Sequence, residues 1–127
     1  MLITINPQDA RPIYQQVVDS IKALIARGEL TEGVSLPPVR QVAADLGVNL
    51  NTIAAAYREL QSEGLVTIRH GSGAVVASRT IAGKNDDALR TSLRTALTQL
   101  ILAGLPRAKI MNMVSEELRN LVQGELR

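Results

Sequence analysis

At 127 residues the chain allows one domain with an appendage, or two very small units. It holds no cysteine, which excludes disulfides and thiolate metal sites and makes a cytosolic home the simplest expectation. The net charge is +2, and residues 1 to 80 balance seven basic against seven acidic side chains, which excludes indiscriminate binding to polyanions.

The opening MLITINPQDARP shows no basic region followed by an apolar core and cleavage site. No run approaches the roughly 20 apolar residues that cross a bilayer, so a soluble, cytoplasmic protein without a membrane partner is expected. Leu2 to Ile5 is β-prone and stops at Asn6-Pro7, which reads as an edge strand or arm. Pro12 then opens a helix whose stripe of Ile13, Val17, Ile21, Leu24 and Ile25 ends at Gly28. This is the scaffold helix. Glu29 to Ser35 contains Gly33 and shows no periodicity, so it reads as a loop.

Pro37 and Pro38 suit the entrance to the next helix, Val39 to Leu46, whose apolar face is Val39, Val42, Ala43 and Leu46 and whose exit is Gly47. Asn49 reads as an N-cap able to accept from the amide of Asn51 or Thr52. Ile53, Ala56, Tyr57 and Leu60 form the apolar face of a third helix, Leu50 to Glu63. Two short helices around Gly47-Val48-Asn49 form a helix-turn-helix, the geometry that offers the start of its second helix to a DNA major groove. Leu50, Asn51, Ala54 and Ala55 face away from the apolar side and are small or hydrogen-bonding. Asparagine pairs bidentately with adenine, and Thr or Ala touches a thymine methyl. The same pattern also fits an ordinary helical hairpin with its polar residues in water.

Gly64 ends the third helix, and Leu65 to Arg69 and Ala74 to Val76 are two β-prone runs around a glycine-containing turn, a β-hairpin wing. Its basic tip, Arg69-His70-Gly71-Ser72-Gly73, suits a close approach of backbone to phosphates or the minor groove. Asp9, Asp19, Glu29 and Glu32 precede the helix-turn-helix, whereas Arg40, Arg58, Arg69 and Arg79 flank the groove-facing surface, a polarity that favours DNA. Tyr14 and Tyr57, the only aromatics, read as half-buried core residues with wet hydroxyls.

Residues 78–85 read as a linker. Asn85 or Asp86 caps the next helix, with Leu89, Leu93, Ala96, Leu97, Leu100 and Ile101 on one stripe until Gly104. Pro106 begins the last helix, striped by Ile110, Met111, Val114, Leu118, Leu121 and Val122 before Gly124. Two such helices bury too little surface to close a core alone. Their partner is either the N-terminal domain of the same chain or the same helices of a second chain. A twofold dimer is the expectation, since two half-sites multiply affinity and specificity.

The expected fold class is therefore mainly α with a small β wing. A winged helix-turn-helix spans residues 1–77, a linker 78–85, and an antiparallel two-helix dimerisation unit 86–127. No catalytic constellation appears. His70 has no second histidine or cysteine for a metal site, HGSG lacks the lysine and helix of a P-loop, and Asp86-Asp87 and Glu116-Glu117 suit a helix start and an exposed face. No cofactor is expected. A small-molecule effector stays open, because the apolar appendage has little room for a pocket. Arg90, Arg94 and Arg107 read either as anionic-ligand contacts or as a solvated helix face.

Over roughly residues 10 to 77 the sequence resembles the winged helix-turn-helix of the GntR family of bacterial transcription regulators. The segments that carry the resemblance are Leu36-Pro37-x-x-Arg40, Leu46-Gly47-Val48, Asn51-Thr52, Leu60-x-x-Glu63-Gly64-Leu65 and Gly71-Ser72-Gly73, in family order and spacing. The resemblance implies DNA contacts from Arg40, from Asn49 through Thr52 including Leu50 and Asn51, and from the wing at His70 and Gly71. Leu50 and Ala54 stand where many members carry arginine, which shifts the expected weight to Asn49, Asn51, Thr52 and Arg58. A reader followed by only two helices resembles the YtrA-type subgroup. That resemblance implies a homodimer on double-stranded operator DNA, repression as the commoner mode, and a transporter operon as a target. The rival expectation is a winged helix used for protein contact.

Overall fold

Proline placement decides where the first two helices begin. In the computed structural model, which describes residues 3–69, 73–77 and 85–122, Pro12 and Pro38 each stand immediately before a helix, where a missing amide hydrogen is not needed. Helix α1 spans Ile13–Ala26 and α2 spans Val39–Leu46. Gly47 closes α2 with φ at 68°, a left-handed conformation that glycine adopts without a Cβ penalty. Helix α3, Leu50–Ser62, starts on Asn49, whose Oδ1 accepts the Asn51 amide at 2.7 Å. Strands β1 (Val66–Arg69) and β2 (Gly73–Val76) pair antiparallel, with Val66 opposite Val76 and Arg69 opposite Gly73. Helices α4 (Asp86–Leu102) and α5 (Arg107–Val122) follow. The described elements are the mainly helical architecture with one small sheet that the sequence led us to expect.

The chain divides into two units, Met1–Ile81 and Ala82–Arg127. In the first, α3 packs against α1, α2 and β1. Val17, Val18, Ile21, Leu24 and Ile25 of α1 meet Val42 and Ala43 of α2 and Ile53, Ala56, Tyr57 and Leu60 of α3, with Leu65, Val66, Ala74 and Val76 closing the core from the wing. Each fully buried aliphatic side chain there contributes about 1.5 to 3 kcal/mol.

Three expectations need correction or refinement. The run ending at Ile5 forms no strand among its described residues. Its backbone is satisfied by α1 side chains instead, Thr4 N–H donating to Ser20 Oγ at 3.3 Å and Asn6 N–H to Gln16 Oε1 at 2.7 Å. Gln16 is buried and also donates to the Arg11 carbonyl at 3.1 Å, so a polar residue anchors this arm. Ile13 is exposed because the first turn of α1 extends past the core. The loop before α2 is not featureless: Ser35 bridges Val75, Leu36 N–H donates to the Ala74 carbonyl and Val76 N–H to the Val34 carbonyl, each at 2.8 Å. A single bridge needs no alternating pattern, so the sequence carried no signal of it.

In the second unit, Asn85 caps α4 by accepting the Ala88 amide at 2.8 Å, and Asp86 and Asp87 occupy its first turn, where the helix dipole favours negative charge. None of the residues of α4 is buried, and in α5 only Ile110 is. Leu93 is 55% exposed and Ile101 62%. The two helices do not run in close backbone contact as α2 and α3 do. A cleft of about 470 Å³ lined by Leu97, Ile101, Leu105, Arg107, Ile110 and Met111 lies in this unit, where the sequence suggested little room for one. No described helix is long and apolar enough to cross a membrane.

Candidate nucleic-acid interface

The recognition surface is held by a hydrogen bond from inside the core. Tyr57 is only 2% exposed, and its hydroxyl donates to the Pro37 carbonyl at 2.6 Å. The expectation of a wet hydroxyl is thus corrected: Tyr57 ties α3 to the residue pair that launches α2. Burial pushes its phenol up to about 12, keeping it the neutral donor. Arg40, two residues beyond Pro38 in α2, is exposed and is held at a set distance along a pinned helix.

At the start of α3, Leu50, Asn49 and Asn51 are exposed and Thr52 is half-buried. The cap separates the two asparagines chemically. Asn49 Oδ1 accepts the Asn51 amide, which holds that side chain in the cap with one of its two lone pairs engaged, whereas the Asn51 side chain is uncommitted among the described residues. Asn51 is thus the freer of the two to turn the donor and acceptor that adenine requires towards a base edge. Ala54 and Ala55 are half-buried, and Leu50 is 38% exposed.

Arg58 lies farther along α3 in a cleft of about 420 Å³ that also takes in Val39, Ala54, Gln61, Ile68 and Gly73. The fold therefore brings Arg58 together with the wing. Arg69 is exposed at the end of β1, opposite Gly73. His70, Gly71 and Ser72 lie outside the described residues, as do Leu2, Arg79, Gly124 and all of the linker but Asn85.

Ion pairing sorts the balanced charges. Arg11 pairs with Asp9 at 2.8 Å and with Asp19, and its hydrogen bond holds the Asp9 carboxyl below the usual range. Lys22 pairs with Glu63 at 2.9 Å and Arg27 with Glu29 at 2.7 Å. Arg40, Arg58 and Arg69 have no carboxylate partner among the described residues. Among the described residues of this unit, the basic side chains without an ion pair thus lie on α2, α3 and the wing, with Asp45 of α2 and Glu59 of α3 likewise outside any ion pair.

Tyr14 is also placed differently from the sequence expectation of a half-buried core residue. It is 38% exposed and shares a shallow cleft with Pro12, Ile13, Asn51, Thr52 and Ala55, beside the start of α3. Its spacing to Val17, Val18 and Ile21 fits the buried stripe, so periodicity gave no warning; only its place in the first turn exposes it.

In the C-terminal unit, Leu89, Leu93, Ile101 and Leu118 are exposed, Leu97, Leu100, Val114 and Leu121 are half-buried and Ile110 is buried. Arg90 is engaged by Asp86 at 2.8 Å, and Arg107 borders the apolar cleft.

Comparison with known proteins agrees with this geometry. Residues 13–76 match the family described as bacterial regulatory proteins, gntR family. The HTH-type transcriptional repressor YtrA of Bacillus subtilis is 31% identical over 123 residues, covering 91% of each chain. Among solved structures, a transcriptional antiterminator from Listeria monocytogenes EGD-e superposes with a TM-score of 0.83 at 30% identity, covering 96% of this chain and 93% of that one. The AraR DNA-binding domain in complex with operator ORX1 gives a TM-score of 0.53 at 29% identity, covering 58% of this chain and 92% of that one. The chain belongs to the GntR family of bacterial transcription regulators and is of the YtrA type.

Proposed function

We propose that this protein is a homodimeric, cytoplasmic repressor that reads an inverted-repeat operator in double-stranded DNA. The observation that carries the reading is the placement of Arg40, Arg58 and Arg69. They are exposed and without ion pairs among the described residues, on the recognition helix α3 and on α2 and β1, which pack against it. The start of α3 enters the major groove, where Asn51 reads adenine and Thr52 and Ala55 meet thymine methyls. Arg40 holds a guanine edge or a phosphate, and Arg58 and Arg69, with Asn49 donating from the cap, hold the backbone on either side. His70 and Gly71 complete the wing contact that the family resemblance implies.

The 1–77 reader is joined through 78–85 to a dimerisation region, 86–127. There Leu89, Leu93, Leu97, Leu100 and Ile101 of α4, with Ile110, Val114, Leu118 and Leu121 of α5, pair with a second copy. Support comes from the unburied stripe of α4, from the whole-length similarity to a repressor, and from a structural relative solved with its operator.

Selection of bound duplexes from a random pool at near-physiological salt tests this, with Arg40→Ala in parallel. The expected result is an inverted repeat whose enrichment falls in the variant, with a loss of about 1 to 3 kcal/mol at the operator. The recovered operator also locates the regulated genes, for which the resemblance implies a transporter operon. A folded dimer that enriches no motif would overturn the reading in favour of a protein-contact module.

A further inference from the structure

The wing is held at both edges, and the outer hold comes from the recognition helix. Ala77 N–H donates to the Leu65 carbonyl at 2.8 Å, which makes these two a hydrogen-bonded pair of the antiparallel ladder. Such pairs alternate, so Thr67 with Val75 and Arg69 with Gly73 are bonded pairs. Val66 with Val76 and Ile68 with Ala74 therefore turn their backbone groups away from each other. On the inner edge, the Ala74 carbonyl and the Val76 amide go to Leu36 and Val34. On the outer edge, Gln61 Oε1 accepts from Ile68 N–H at 2.6 Å.

Gln61 stands in the last turn of α3, on the same cleft as Arg58 and Ile68. Ile68 is the immediate neighbour of Arg69. A two-stranded hairpin is marginal in water, and a phosphate contact from a mobile strand costs ordering entropy at the moment of binding. We propose that Gln61 is a positioning residue for DNA recognition: it clamps β1 to the end of α3, so that Arg69 and the reading side chains meet the duplex at one fixed span. The proposal rests on the DNA-reading function above.

The test uses the full-length chain on its selected operator, with Gln61→Leu, which removes the acceptor, and Gln61→Glu, which keeps it. Hydrogen exchange at the Ile68 amide reports the clamp without DNA; protection is expected to fall in Q61L and persist in Q61E. With DNA, Q61L is expected to weaken operator binding by about tenfold, the scale of one lost hydrogen bond. The salt dependence should become shallower by roughly one phosphate contact, while base preferences at positions read by α3 stay as in the parent protein. Loss of folding alone would not spare those preferences while flattening the salt dependence.

Wild-type affinity and salt dependence in a Q61L protein with an unprotected Ile68 amide would overturn the clamp's role. So would unchanged Ile68 protection in Q61L. If the parent protein itself showed no sequence-dependent binding, the DNA-reading function would fail and take the proposal with it, an outcome distinct from a parent that binds and a variant that binds equally well.

Discussion

The two units of this chain treat apolar surface in opposite ways. In Met1–Ile81, three helices and a wing bury seventeen hydrophobic residues in one cluster, and even the single tyrosine hydroxyl inside finds a carbonyl. In Ala82–Arg127, α4 carries an equally regular stripe and buries none of it. The difference shows that amphipathic periodicity tells which face wants cover, not who provides it. Three helices crossing one another supply mutual cover; two helices with little backbone contact leave the cover to something else.

The comparison breaks most visibly at Leu60. Leu60→Ala removes a fully buried side chain from the last turn of α3, and we expect a loss of about 3 kcal/mol in denaturant unfolding of the N-terminal unit. A wild-type midpoint would mean that the cluster is not the source of that unit's stability. Leu93→Glu probes the other side. It places a charge on the exposed stripe of α4, and sedimentation should show a monomer whose operator affinity is about 100-fold lower while the N-terminal unit keeps its fold. A variant that sediments as the parent protein does would count against the proposed pairing through α4.

Tyr57→Phe should cost about 1 kcal/mol, the net worth of the bond to Pro37, and it carries a pH signature. The folded phenol titrates at about 12 against an ordinary 10, so its contribution is whole below pH 10 and is lost as pH rises from 10 towards 12. The phenylalanine variant should lose this part of the alkaline slope in a stability titration; an unaltered slope would assign it to other groups. The smallest expected effect is at Asn85. Asn85→Ala removes the acceptor for the Ala88 amide and should lower the stability of the first turn of α4 by roughly 0.5 to 1 kcal/mol, read as faster hydrogen exchange at Ala88.

Much of the reading head was legible from local chemistry. Pro38, Gly47 and Asn49 punctuate α2 and α3 to the residue, because each acts through its own backbone or a neighbour's. The misreadings came where a partner was distant in sequence. The arm had no visible anchor until it crossed Gln16, the loop at Ser35 had no visible partner until β2 arrived, and Tyr14 carried the right spacing in a turn that overshoots the core. The candidate site divides the same way. Arg40, Asn51 and Arg58 stand out by type and position and the Arg11–Asp9 and Arg27–Glu29 pairs are local, whereas the Lys22–Glu63 pair depends on side chains meeting across the fold.

By itself, the sequence determined the kinds and order of the elements, the turn between α2 and α3, and the stripe on each helix, since proline geometry, glycine's left-handed freedom and the 3.6-residue repeat are properties of short stretches. The tertiary structure alone decided that Tyr57 pins α2 and that Gln61 reaches the wing. Hydrogen bonds between elements depend on where folding carries their donors and acceptors, and no local pattern encodes that distance.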